Sequence, residues 1–153
     1  MNNYILIKEN SFEEARKEIE KAKKSNQKII FTSNDDELNT KVIEKLQIDI
    51  LLINQKERKD FQKQRNSGFN QVMAKIAKKN KMVIGINLDE IIDSSEKQKA
   101  EILARIKQNI KLCNKNKLKT MFFTKDNKNQ RNQYDLKALG ITLGMPTWMT
   151  KDL

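Results

Sequence analysis

The sequence predicts an α/β protein built from repeated βα units around a parallel sheet. Short apolar, β-branched runs recur along the chain. Between them lie polar stretches whose apolar residues return every three or four positions. The runs are apolar almost throughout, which suits strands covered on both faces. Right-handed crossovers then leave two arrangements, an open doubly wound sheet or part of a barrel. A length of 153 residues suits a single domain spanning 1–153. One proline, four glycines and strong periodicity separate the chain from a disordered one, despite a charged share of 33%.

The elements follow in order. Tyr4 to Ile7 reads as a first strand. In SFEE, Ser11 stands three residues before Glu14, a capping box for a helix with Phe12, Ala15, Ile19 and Ala22 on its inner face. KIIFTS is the second strand. Asn34 with Glu37 offers the next cap, and Leu38, Val42, Ile43 and Leu46 form the next stripe. IDILLIN is the third strand, followed by the polar connection QKERKDFQKQRN. Phe69, Val72, Met73, Ile76 and Ala77 mark the third helix, MVIGINL the fourth strand, and DEII a turn. Ser95 with Gln98 opens the longest helix, whose inner face is Ile102, Leu103, Ile106, Ile110 and Cys113. LKTMFF is the fifth strand, and Tyr134 to Leu139 a short helix after a polar loop. ITLGM, stopped by Pro146, is a candidate sixth strand. Six strands fall short of the eight in a closed (β/α)₈ barrel.

Histidine is absent. Imidazole metal sites, Ser–His and Cys–His nucleophiles and histidine acid–base chemistry are therefore excluded, while carboxylate–magnesium chemistry is not. A single cysteine cannot form an internal disulfide and fits a reducing compartment. No apolar stretch reaches membrane-spanning length, and Met1-Asn2-Asn3-Tyr4 does not begin a signal peptide. The expectation is a cytoplasmic protein without membrane contact.

The formal charge of +11 is unevenly placed. Residues 1–53 carry nine Lys/Arg against ten Asp/Glu, whereas residues 54–153 carry 22 against ten. A general enrichment in lysine would raise both parts, so the asymmetry points to a polyanion-facing surface. In a parallel sheet the loops after the strands gather on one edge. Those loops hold Lys56, Arg58, Lys59, Lys63 and Arg65 after the third strand, and Lys125, Lys128 and Arg131 after the fifth. Such a basic edge can neutralise phosphates, with Asn54, Asn66, Asn127, Asn129 and Gln130 adding hydrogen bonds. The competing reading is a solvated set of loops. No aromatic motif of the RNP type interrupts the basic segment, so base stacking is not indicated. Lys75, Lys78 and Lys79 fall opposite the apolar stripe of the third helix.

Other constellations read as structural. Gly68, Gly140 and Gly144 form no phosphate-loop spacing. Asp89, Glu90 and Asp93 could hold a metal, but acidic residues also favour helix starts, and no metal site is expected there. Cys113 lies on an apolar stripe as a buried thiol. Trp148 and Met149 either cap the end of the fold or meet a partner.

The segment RNSGFNQVMAKIAKKNKMVIGINLDEII resembles the central motif of ribonuclease P protein component 3, the archaeal and eukaryal thirty-kilodalton subunit family. KAEILARIKQNIKLCNKNKLKTMFFT and QRNQYDLKALGITLGM continue the similarity in order, over about 100 residues from Asn54. The resemblance implies a TIM-barrel-like fold, incomplete or closed, related to polymerase-and-histidinol-phosphatase (PHP) barrels. It also implies an RNA-binding, noncatalytic subunit of a ribonucleoprotein endonuclease that removes the 5′ leader of precursor tRNA. In that enzyme the RNA performs catalysis with Mg2+, and the subunit binds no cofactor itself. Expected partners are the ribonuclease P RNA, the ferredoxin-like component 2 and other protein subunits, with precursor tRNA contacted indirectly. Matching positions carry over Gly68, Asn70, Ala74, Lys75, Arg131 and Asp135. The family's histidine after the asparagine is Gln71 here, the basic residue before Asp135 is Tyr134, and the chain is shorter. The expected RNA-binding set is therefore Lys56, Arg58, Lys59, Lys63, Arg65, Asn66, Asn70, Lys75, Lys125, Lys128 and Arg131. The alternatives are a stand-alone PHP-like phosphoesterase or nuclease, which would normally use a histidine-rich metal cluster, and a basic scaffold for a protein partner.

Overall fold

The computed structural model describes residues 3–153. The chain start, read above for the absence of a leader, therefore lies partly outside the described residues. Among the described residues, five parallel strands form one sheet in sequential order: β1 (Tyr4–Lys8), β2 (Lys28–Thr32), β3 (Ile50–Ile53), β4 (Val83–Asn87) and β5 (Thr120–Phe123). Register pairs such as Leu6 with Ile30, Ile50 with Val83 and Ile86 with Phe122 carry it across. Between and after the strands come α1 (Phe12–Lys24), α2 (Asp36–Lys45), α3 (Gln71–Lys79), α4 (Leu88–Asp93), α5 (Glu96–Lys115), α6 (Gln133–Thr142) and α7 (Thr147–Thr150).

Sequential order with right-handed crossovers places the helices on one face, so the sheet is singly wound, as in part of a barrel, and not doubly wound. The alternation of side chains confirms it. Ile7, Ile29, Phe31, Leu51, Ile53, Ile84, Ile86 and Phe122 enter the core with Ile19, Val42, Met73 and Ile106 of the helices. Leu6, Ile30, Ile50, Leu52, Val83, Met121 and Phe123 share the opposite face with other strand residues. Gly85 makes that face fit: a Cβ there would lie 3.1 Å from both Ile50 Cγ2 and Leu52 Cδ1.

Several expectations are corrected. ITLGM is not a sixth strand; Ile141 and Thr142 finish α6, and Gly144, at φ 99°, makes the turn that follows. DEII is helical within α4, because Asn87 caps its start by accepting the Asp89 N–H. The α2 cap is Asp35, not Asn34, since its carboxylate accepts the N–H groups of Glu37 and Leu38. Ser95 caps α5 without a side-chain bond. Val72 is 64% exposed, and it is Ala74 that joins Met73 and Ala77 in the core. The α1 cap is as expected, with the Glu14 N–H donating to Ser11 Oγ.

Candidate nucleic-acid interface

The carboxyl ends of β1 to β4 open into a polar cleft of about 580 Å³. Lys8 comes from the end of β1, Asn34 from the β2 loop, Asn54 and Lys56 to Lys59 from the β3 loop, and Asn87 with Glu90 from the β4 end. Its floor is a chain of hydrogen bonds across three strands. Asn87 Nδ2 donates to Asn54 Oδ1 at 2.9 Å, Asn54 Nδ2 to Thr32 Oγ1 at 3.1 Å, and Thr32 Oγ1 to the Leu52 carbonyl at 2.9 Å. Each amide is thus held in one orientation, which lowers the entropy lost when a ligand is gripped.

The loop after β3 is ordered by buried arginines. Arg58 donates to both oxygens of Asp36, at 2.8 and 2.9 Å, and through Nε to the Asn54 carbonyl at 2.6 Å. Its side chain keeps only 10% exposure. Arg105 of α5 reaches beneath the same loop, donating to Asp60 and to the carbonyls of Gln55 and Arg58. Asp60 is held below the usual carboxylate range by the Asn66 N–H and then by Arg105. Asn109 and Gln55 both donate to the Ser67 carbonyl, closing the loop back on itself. The segment read as a polar connection is therefore a fixed rim.

Asp36, Glu57 and Glu90 bring negative charge to the cleft, and Glu90 and its neighbour Asp89 shift in opposite directions. Burial pushes Glu90 upward, outweighing hydrogen bonds from the Gln55 and Lys56 N–H groups and the charges of Arg58 and Lys56. Burial also pushes Asp89 upward, but hydrogen bonds from Thr124, Asn129, and the Lys125 and Asp126 N–H groups outweigh it, and the net shift is downward. Asp89 thereby fastens the loop after β5, including the short 3-10 turn Asn127–Asn129, to the start of α4. Asn129 also donates to Asp93. These contacts give the acidic cluster a structural occupation.

The sequence-derived set does not form one patch. Lys56 and Lys59 are exposed on the cleft wall, while Arg58 lines it with its guanidinium engaged by Asp36. Asn66 lies between this cleft and a second one of about 470 Å³, which also takes Arg65 and Asn70. Asn70 caps α3, its Oδ1 accepting the Met73 N–H at 2.9 Å. Lys63 is exposed on the rim and lines neither cleft. Lys75 is exposed on the outer side of α3. Lys125, Lys128 and Arg131 project from the β5 loop, with Lys128 paired to Asp126. Sequence reasoning missed Lys8, whose place immediately after an apolar strand was the available signal. It also missed Arg105, an arginine between Ile102 and Ile106 on an apolar stripe.

Of the two positions that depart from the family pattern, Gln71 has a local partner and Tyr134 makes no side-chain hydrogen bond among the described residues. Gln71 exchanges two hydrogen bonds with Asn116, tying α3 to the end of α5. Tyr134 is 81% exposed on α6. Trp148 donates to Asn114 Oδ1 and lies under Lys117, so it caps the base of α5. Cys113 is fully buried, and burial pushes its thiol up to about 12.

The sequence pattern of the family described as RNase P subunit p30 matches residues 5–152. Ribonuclease P protein component 3 of Methanocaldococcus jannaschii is 27% identical over 149 residues, covering 96% of this chain and 62% of that protein. Among solved structures, a chain in the cryo-EM structure of archaeal Ribonuclease P with mature tRNA superposes with a TM-score of 0.81 at 24% identity. That match covers 97% of this chain and 62% of the other, so this chain spans about three-fifths of the length of the proteins it matches.

Proposed function

From the premise that this chain belongs to the RNase P subunit p30 family, we propose that it is a noncatalytic, RNA-binding subunit of ribonuclease P. The observation that carries the RNA-binding part is the strand-end cleft, where Lys8, Lys56 and Lys59 surround orientationally fixed amides of Asn54 and Asn87. Lysines supply sequence-independent affinity through phosphate neutralisation, and the amides supply directed hydrogen bonds. Lys125 and Arg131 extend the positive surface along the β5 loop.

Cleavage of the 5′ leader is assigned to the RNA, with Mg2+ bound there and no cofactor held by this chain. The absence of histidine from the sequence supports this division, because the PHP-like hydrolase alternative would normally depend on a histidine-rich metal cluster. Component 2 and the other protein subunits are the proposed protein partners, and precursor tRNA is contacted indirectly. The proposed setting is the cytoplasm; among the described residues no helix is long and apolar enough to cross a membrane.

The test is reconstitution. Ribonuclease P RNA and the remaining subunits should process precursor tRNA faster at low Mg2+ with this chain than without it, and the purified chain alone should cleave nothing. Metal-dependent cleavage by the chain alone, removed by Asp89→Asn, would refute the noncatalytic assignment.

A further inference from the structure

Phe61 stands in the β3 loop with 57% of its surface exposed, in a segment otherwise made of charged and polar side chains. The segment has no RNP-type motif, but a single accessible ring is enough to stack a base. The backbone that carries the ring is fixed. The preceding Asp60 accepts from Arg105 Nε and from the Asn66 N–H, both at 3.0 Å. Arg105 is itself only 3% exposed, so the anchor belongs to the core.

Phe61 lines the second cleft, whose volume of about 470 Å³ falls within the range of about 300–1,000 Å³ usual for small-ligand sites. Buried Phe69 and Met73 add apolar lining, while Gln64, Asn66 and Gln108 bring amides to the same space. Apolar surface bordered by hydrogen-bonding groups matches a nucleobase, which has apolar faces and polar edges. The charges favour a base over a phosphate inside the cleft. Asp36 is already paired with Arg58, and exposed Glu37 repels phosphate but can accept from a base amino group. Lys63 and Arg65, exposed two and four residues after Phe61, supply cations for the phosphates outside. The cleft shares Asp36 and Asn66 with the strand-end cleft, so one strand can engage both.

We propose that this second cleft takes one unpaired base of a single-stranded RNA segment, stacked on Phe61, with Lys63 and Arg65 on the flanking phosphates. The proposal rests on the RNA-binding reading and deepens it, adding a stacked base to phosphate contact.

The test titrates the full chain with a single-stranded RNA of about ten nucleotides carrying one 2-aminopurine, and with the same sequence in a duplex. The fluorescence of 2-aminopurine falls when it stacks. Wild-type protein should quench the single strand, Phe61→Tyr should quench it equally, and Phe61→Leu should not. Affinity of Phe61→Leu for the single strand should fall about tenfold, while its affinity for the duplex should match wild type. Its slope of log K against log salt should be unchanged, because no cation is removed. Phe61→Leu should also melt as wild type does, since the site is exposed. Undiminished quenching and affinity in Phe61→Leu would overturn the proposal, and a loss on changing Lys8, Lys56 and Lys59 to Gln would leave the RNA-binding reading standing. Equal losses on single strand and duplex would overturn it too. So would unchanged RNA affinity combined with loss of the other ribonuclease P subunits on co-purification, which would assign Phe61 to a protein contact. Failure of the wild-type chain to bind either RNA would remove both readings together.

Discussion

Arg58 holds Asp36 through two parallel hydrogen bonds, Nη1 to Oδ2 at 2.8 Å and Nη2 to Oδ1 at 2.9 Å, joining the β3 loop to the first turn of α2. The pair lies on the cleft wall, and its fork geometry is one that lysine cannot reproduce. Asp36→Ala should cost about 1.5–3 kcal/mol in urea unfolding, because a largely buried guanidinium loses its charged acceptor. Arg58→Lys should recover little of the loss caused by Arg58→Ala. Full recovery would show that charge alone holds the rim.

Gly68 serves the same arginine. Its φ is +72°, and a Cβ there would stand 2.6 Å from Arg58 Cζ. Gly68→Ala therefore combines backbone strain with displacement of the guanidinium, at about 2–4 kcal/mol. Gly144→Ala, at φ +99° with nothing near the added methyl, bears only the backbone term, about 1–2 kcal/mol. Thermal melts should rank Gly68→Ala as the more damaging. The reverse order would remove Arg58 as the reason for glycine at this position.

Acid titration separates the two neighbouring carboxylates. Folding lowers the Asp89 value, so Asp89 stabilises the protein above its ordinary range, and that contribution is lost as pH falls through the folded value. Folding raises the Glu90 value, so its contribution is present at low pH and lost as pH rises through the folded value. Asp89→Asn should lower stability at neutral pH and flatten the acid limb; Glu90→Gln should flatten the loss on the rising side. Stability measured against pH from 3 to 7, about the ordinary carboxyl range, checks both signs. Identical profiles for the two variants would contradict the assignment.

The α3 helix offers a contrast between neighbours. Met73 is 2% exposed in the core and Val72 is 64% exposed. Met73→Ala should cost about 2–5 kcal/mol and Val72→Ala less than about 0.5 kcal/mol. Lys75, Lys78 and Lys79 are all exposed, and their joint change to Gln should leave the melting temperature nearly unchanged. A large loss from Val72→Ala would show that α3 is rotated from its described position.

Much of the architecture was legible because strands and amphipathic stripes are local signals. All five observed strands overlap apolar runs that the sequence displays openly, and Ser11 sits before the helix it caps. ITLGM misled because a β-branched pair and a leucine before glycine suit either a strand or the last turn of a helix, and packing of Gly140 under Met145 favours the helix. Val72 misled because the apolar stripe was centred one residue too early: Met73, Ala74 and Ala77 define the buried arc, and Val72, two residues before Ala74, lies about 200° from it around the helix. At the candidate interface, the convergence of strand-end loops followed from topology. The engagement of Arg58 by Asp36 did not, because the partners are 22 residues apart and meet only after β2 and β3 pair. Arg105 was hidden for the same reason, since its acceptors are distant backbone carbonyls that no sequence pattern names.

The central claim is that phosphate contact is localised at the strand-end cleft, and the most direct measurement is the salt dependence of affinity for ribonuclease P RNA. Lys8, Lys56 and Lys59 changed together to Gln should weaken binding and reduce the slope of log K against log salt by about 2–3, as up to three phosphate contacts release fewer counterions. Lys17 and Lys21, exposed on α1 in the charge-balanced first third, should leave both quantities unchanged when altered in the same way. An unchanged slope in the cleft variant, or an equal loss in the α1 variant, would contradict the account.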